Sequence, residues 1–155
     1  MGGRAGLSAS DHEHPPYGFS TRFRVDFADT DAGGVVYFGS YGRFLERAVI
    51  EYRRAAGVPL VGADEHHFMI RSMAVEYHAP LRFDDEVEAF VRVSRIGTSS
   101  HTIEARLERI DANGATHVAD ARAVVVGVQS WDGGGPTPMP AEWRSAIEAF
   151  EARTH

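Results

Sequence analysis

The segment Asp29-Thr30-Asp31-Ala32-Gly33-Gly34-Val35-Val36-Tyr37-Phe38-Gly39-Ser40-Tyr41 concentrates the residue types that could carry chemistry in this chain. Asp31 is in phase with Phe23, Val25 and Phe27 of the alternating run before it. If that strand extends so far, a carboxylate stands at the edge of an apolar face, where desolvation raises its pKa and its reactivity. Gly33, Gly34 and Gly39 leave room for a ligand to approach the backbone. Ser40 can N-cap a helix whose unpaired N–H groups and positive dipole end would face that gap. A carboxylate opposite a helix N-terminus suits acyl transfer: the helix polarises a carbonyl oxygen while the carboxylate attacks it or activates water. The same residues also fit a plain loop in which Asp29 and Asp31 cap turns and the glycines serve geometry.

Other chemistries lack their residues. The chain has no cysteine, which excludes disulfides, thiol nucleophiles and Cys-ligated zinc. All 16 basic residues are arginine, so neither a lysine Schiff base nor a P-loop lysine is available. The stretch Gly39-Ser40-Tyr41-Gly42 has the wrong spacing for a serine elbow, and neither a G-x-G-x-x-G nor an H-E-x-x-H pattern occurs. The eight histidines are scattered, among them His12 and His14 near the start, His66 and His67 in a loop, and His78, His101 and His117 on strands. That scatter leads us to expect no metal site, with the strand histidines at the surface or satisfied in the core. A net charge of −6 speaks against nucleic acid as a partner, because that binding rests on phosphate neutralisation. It leaves room for a nucleotide-bearing ligand held by two or three local arginines.

The elements that must position the motif can be read from periodicity. Phe19 to Phe27 alternates as a strand, and Phe44, Leu45, Ala48, Val49 and Tyr52 form the apolar stripe of a helix from Ser40 to about Ala56, closed by Gly57 and Pro59. Four more strands follow: Phe68 to His78, Glu86 to Ile96, His101 to Ile110 and Ala115 to Gln129, with turns short enough for antiparallel pairing. Trp131 to Pro140 reads as a Gly/Pro-rich turn and Ala141 to Arg153 as a second, short helix. The expected class is α+β, a five-stranded antiparallel sheet wrapped around one long helix. Residues 1–16 read as a disordered leader without the apolar core of a signal peptide, and 17–155 as one domain. No apolar run is long enough to span a bilayer, and a cytoplasmic location is the expectation.

Asp29 to Ala48 as a whole resembles the first motif of the 4-hydroxybenzoyl-CoA thioesterase family, and especially the branch that includes the Tol–Pal-associated acyl-CoA thioesterases. The likeness extends more loosely from Tyr17 to Gln129 and takes in Val75-Glu76-Tyr77-His78-Ala79-Pro80-Leu81-Arg82-Phe83-Asp84-Asp85. It implies the hot-dog fold and hydrolysis of an acyl- or aryl-CoA thioester. Asp31 would be the catalytic carboxylate, and the backbone N–H of Phe38 would point at the thioester carbonyl. Gly33, Gly34 and Val35 would line the substrate. Coenzyme A would meet Arg95, Thr98, Ser99 and Ser100 in the turn after the third strand, with Arg82 a lesser candidate for its phosphates. The Tol–Pal-associated branch usually has histidine where this chain has Phe38, and often tyrosine in place of Phe27, which puts the acyl group in question more than the activity. No cofactor is implied, since coenzyme A belongs to the substrate; an acyl-carrier-protein thioester is the other candidate. The resemblance also implies a homodimer or homotetramer with sites between subunits. A hot-dog dehydratase would need a histidine at the helix, and none lies between His14 and His66. A non-catalytic acyl-binding module on the same fold is the reading from another class.

Overall fold

The computed structural model describes residues 17–60, 66–130, 132 and 134–153; the expected leader and Trp131 lie outside them. The element order is β1 (Ser20–Arg24), α1 (Tyr41–Ala56), β2 (His67–Tyr77), β3 (Glu86–Ile96), β4 (Ser100–Asp111), β5 (Gly114–Val128) and α2 (Ala141–Arg153). The strands form one antiparallel sheet in the order β1-β3-β4-β5-β2. Phe44, Leu45, Ala48 and Tyr52 of α1 are buried together with Val87, Ala89, Ile103, Ala105, Leu107 and Ala123 from the sheet. The apolar stripe read from the sequence is therefore the seam between helix and sheet. Gly57 closes α1 in the left-handed region at φ 76°, its N–H bonded to the Arg53 and Arg54 carbonyls.

Two local expectations are corrected. The first strand stops at Arg24, and Phe27 begins a 3-10 turn with 75% of its surface exposed, so the alternation does not carry through to Asp31. Ser40 does not cap α1 with its side chain. It is already helical, within a 3-10 turn Phe38–Ser40 that leads into α1, and its hydroxyl donates to the Asp29 carbonyl at 3.2 Å. One irregularity matters below: Leu107 pairs with Ala119 but Glu108 pairs with His117, which leaves Val118 as an extra residue in β5. Among the described residues no helix is long and apolar enough to cross a membrane.

Candidate active site

The loop between β1 and α1 folds back on itself. The Tyr37 N–H bonds to the Asp29 carbonyl at 2.9 Å, Thr30 bridges Val36, and the Asp31 N–H bonds to the Val35 carbonyl at 2.9 Å. Gly34 makes the turn at the tip with φ 77°, a conformation that L side chains rarely adopt. The loop is held to the neighbouring segment by the Val36 N–H, which donates to the Leu81 carbonyl at 2.8 Å. Asp31, Gly33 and Gly34 thus stand exposed at the tip, with Val35 half-buried behind them, and Phe38 at the base opens the helical segment.

The Asp31 carboxylate is exposed rather than at the edge of the core. Its Oδ1 accepts the Gly33 N–H at 2.8 Å, and Oδ2 has no hydrogen-bond partner among the described residues. A carboxylate with one oxygen fixed and the other open is oriented without being used up. A methyl group on Gly33 would come within 3.1 Å of Oδ1, so that glycine keeps the carboxylate where it is. Gly39 has a different duty. A Cβ there would run into the Tyr37 ring, which packs over the start of the helix and against Phe38 at a centroid distance of 4.6 Å.

The buried carboxylate of this loop is Asp29, only 3% exposed. It accepts the Asp26 N–H at 3.1 Å and two guanidinium N–H groups of Arg43, one of them at 3.0 Å. Periodicity and motif spacing do not disclose this pair. Its signal was Arg43 itself, a cation in the first turn of a helix, where the dipole disfavours positive charge and a countercharge is called for.

Beside the loop, an apolar cavity of about 590 Å³ runs between α1 and the sheet, from Gly42 and Met73 at the start of the helix to Met139 and Trp143 at its far end. Buried His101 lies on its wall. Tyr77 links β2 to the site: its hydroxyl donates to the Phe38 carbonyl at 3.1 Å, and its ring stands edge-on to Tyr41.

The residues expected to hold coenzyme A do not gather around Asp31 within one chain. Asp31 lies at the Glu86 end of β3, where Leu81, Asp84 and Asp85 bond back to Val25 and Val36. Arg95 is nine positions along that strand, about 30 Å of extended chain away. The turn holding Thr98, Ser99 and Ser100 packs against the opposite end of the molecule. The Ser99 carbonyl accepts the Gly127 N–H, the Thr98 carbonyl accepts the Met139 N–H, and Arg144 donates to the Gly97 carbonyl. Arg82 is on the Asp31 side. It is exposed in the turn that backs the loop, its guanidinium has no ion-pair partner among the described residues, and its N–H is fixed by Asp85.

A long helix wrapped by a five-stranded antiparallel sheet, with a glycine-tipped acidic loop at the start of the helix, defines the hot-dog fold of thioesterases. A solved thioesterase-superfamily protein from Jannaschia sp. CCS1 has the same architecture, with a TM-score of 0.77 and 26% identity over 88% of this chain and 85% of that one. Residues 25–147 match the family model of the thioesterase-like superfamily, and the chain belongs to that family. It is 44% identical over 79 residues to the acyl-CoA thioester hydrolase YbgC of Escherichia coli, a match that covers 49% of this chain and about three fifths (59%) of that protein's length. It is 36% identical over 95 residues to the acyl-CoA thioesterase YbgC of Haemophilus influenzae, covering 59% of this chain and 70% of that one.

Proposed function

We propose that this protein hydrolyses an acyl- or aryl-CoA thioester to the free acid and coenzyme A. The observation that carries the proposal is the loop: an exposed, oriented carboxylate, Asp31, on a glycine turn that folds back onto the first residues of a helical segment, beside a long apolar cavity. Relatives named as acyl-CoA thioester hydrolases match the chain over part of their length. In this reading the thioester carbonyl oxygen accepts the Phe38 N–H, and the acyl group enters the cavity past Gly42. Asp31 either attacks the carbonyl carbon, expelling the CoA thiolate and leaving a mixed anhydride for water to cleave, or takes a proton from the water that attacks. The cavity is within the range of small-molecule sites and is open to aliphatic as well as aryl chains. No cofactor is needed. An acyl-carrier protein in place of coenzyme A is the finer alternative, and a thioester panel offered on both carriers separates them.

The proposed working form is a homodimer or a homotetramer. Strand β2 is a sheet edge of 11 residues that pairs on one side only among the described residues and carries exposed Met69, Ile70, Met73 and Tyr77, an edge that proteins normally pair or cover. Phe38, 67% exposed, adjoins it through Tyr77. A second copy paired there would cover the apolar rim of the site and bring its own arginines towards the substrate. Release of free thiol from acetyl-, fatty acyl- and aryl-CoA, followed with a thiol reagent, tests the function. Absence of release from all three, with acyl-CoA still bound, would leave a binding module instead.

A further inference from the structure

On the outer face of the sheet, away from the cavity, we propose that His78, His117 and Asp120 form a binding site for a divalent transition-metal ion of the zinc type. The β-bulge builds it. With Val118 as an extra residue, Val118 and Ala119 both turn into the core, fully buried. His117 and Asp120, three positions apart, then project from the same outer face, which the regular two-residue period forbids. The end of β2 is pinned to that bulge, because the N–H groups of His78 and Ala79 both bond to the Val118 carbonyl, at 2.7 and 3.2 Å. His78 is thereby set beside His117, with ring centroids 4.3 Å apart and 32° between the planes.

The donor atoms converge as metal ligands do. Nε2 of His78 lies 3.1 Å and Nε2 of His117 2.9 Å from the same Oδ2 of Asp120, and the three potential ligand atoms all fall within 4.8 Å of one another. Zinc bound tetrahedrally at about 2.0–2.2 Å requires ligand atoms roughly 3.3 Å apart, so the two Nε2–Oδ2 separations need open by only a few tenths of an ångström to admit it. Nε2 of His117 is shielded from solvent and, despite its closeness to Asp120, makes no hydrogen bond of acceptable geometry among the described residues. An orphaned imidazole nitrogen aimed at a carboxylate oxygen is better satisfied by a cation between them than by the bare contact.

The surrounding charges favour a cation as well. Asp120 pairs in register with Arg106 on one side and Glu76 on the other. The Arg106 Nε is committed to Glu108 at 2.8 Å, and Arg92 to Glu104. Glu76 and Asp120, like charges directly opposed across two strands, repel. The cleft they share also contains Tyr17 and Arg122 and is open to solvent, leaving room for water or the Glu76 carboxylate as a fourth ligand. Two imidazoles and one carboxylate suit zinc, cobalt, nickel or copper rather than calcium or magnesium, which prefer all-oxygen sites.

The test uses the full chain, stripped of metal with a chelator that is then removed. Zinc chloride is titrated calorimetrically at pH 7.5, and cobalt chloride by its visible absorption. The expected result is one ion per chain, weakened at least tenfold in each of His78→Ala, His117→Ala and Asp120→Asn. A variant with His12→Gln and His14→Gln should bind as the parent does, which excludes the N-terminal histidines as the source. Asp120→Asn keeps the shape of the side chain, so it decides the matter if a histidine variant fails to fold by circular dichroism. No saturable binding, or binding that survives Asp120→Asn and either histidine substitution unchanged, would overturn the site.

Discussion

Asp29 and Arg43 are joined across 14 positions of sequence, the Arg43 guanidinium donating to Oδ1 of a carboxylate that is almost fully buried. The hydrogen bond to Asp29 is the first cause of a raised Arg43 pKa, followed by that to Asp26. The pair ties the base of the acidic loop to the first turn of α1 and offsets a cation that the helix dipole disfavours. Asp29 also receives the Tyr37 N–H and the Ser40 hydroxyl on its carbonyl. It fixes the loop, and Asp31 at the tip inherits the geometry.

Asp29→Ala should therefore cost stability. Losing a buried, charge-assisted hydrogen bond is worth roughly 1–3 kcal/mol, which for a chain of this size lowers Tm by about 2–12 °C. Thermal melts of Asp29→Ala and Asp31→Asn side by side check this. An Asp29→Ala protein that melts with the parent would refute the positioning role.

His101 gives a pH dependence with a definite sign. Burial first, then the nearby Arg53 and His66, lower its pKa to about 4, and burial lowers that of His66 as well. An unfolded imidazole takes its proton near 6.5. The stability is whole above about 6.5 and is lost as pH falls towards 4, because the unfolded chain binds a proton that the folded chain refuses. His101 alone contributes up to roughly 3 kcal/mol of this loss. Melting temperatures from pH 7.5 to 4.5 should fall less steeply for His101→Phe than for the parent; parallel curves would remove His101 as the cause.

The exposed edge predicts assembly. Met69→Lys combined with Ala74→Lys places two cations on exposed positions of β2, a device that blocks edge pairing. Light scattering should show the parent as a dimer or larger and the double variant as a monomer, and the monomer should have lost most of its thioesterase activity. An active monomer would show that one chain holds a complete site.

Arg95 stands nine positions, about 30 Å of extended strand, from the end of β3 where the Asp31 of its own chain lies, so any role in catalysis at an Asp31 is exerted across the subunit boundary. Arg95→Ala should raise KM by roughly 10- to 100-fold with kcat little changed, the loss of one charged hydrogen bond. Mixing Arg95→Ala with Asp31→Asn chains should then give wild-type KM at one of the two sites of every mixed dimer, because that site carries neither change. If KM rises for Arg82→Ala and not for Arg95→Ala, the phosphates are held from within the chain.

The long helix, its apolar stripe and the Gly57 stop were legible because a helix that buries one face repeats every three to four residues, and α1 does so through Tyr52. Strands β3 and β4 were legible for the same reason at period two. What periodicity could not show is where it breaks. Extending the phase of Phe23 and Val25 would put Asp31 at the core edge, but the chain leaves the sheet at Arg24 and a 3-10 turn resets every side chain after it. The same period puts His117 and Asp120 on opposite faces, and the Val118 bulge suspends it. The Asp29–Arg43 pair depends on a contact between loop and helix; Arg43 in the first turn of α1 is its local sign but does not name Asp29 as the partner.

Asp31 remains the residue on which the proposed chemistry turns. Hydrolysis of a thioester needs a nucleophile or a base, and this chain has no cysteine and no serine elbow. Of the loop's carboxylates, Asp29 is held by Arg43 inside the fold, and Asp26 lies within reach of the same guanidinium. Asp31 alone stands at the glycine tip with one oxygen unengaged among the described residues. Asp31→Asn preserves the shape and can still accept the Gly33 N–H, so the loop should hold and acyl-CoA should still bind. Its kcat should fall at least ~10²-fold, the scale of losing a general base or nucleophile. Steady-state thiol release, with binding of a non-hydrolysable acyl-CoA analogue as the control, makes the measurement. A folded Asp31→Asn protein that turns over at the parent rate would dismiss the carboxylate mechanism, whatever the stability of Asp29→Ala.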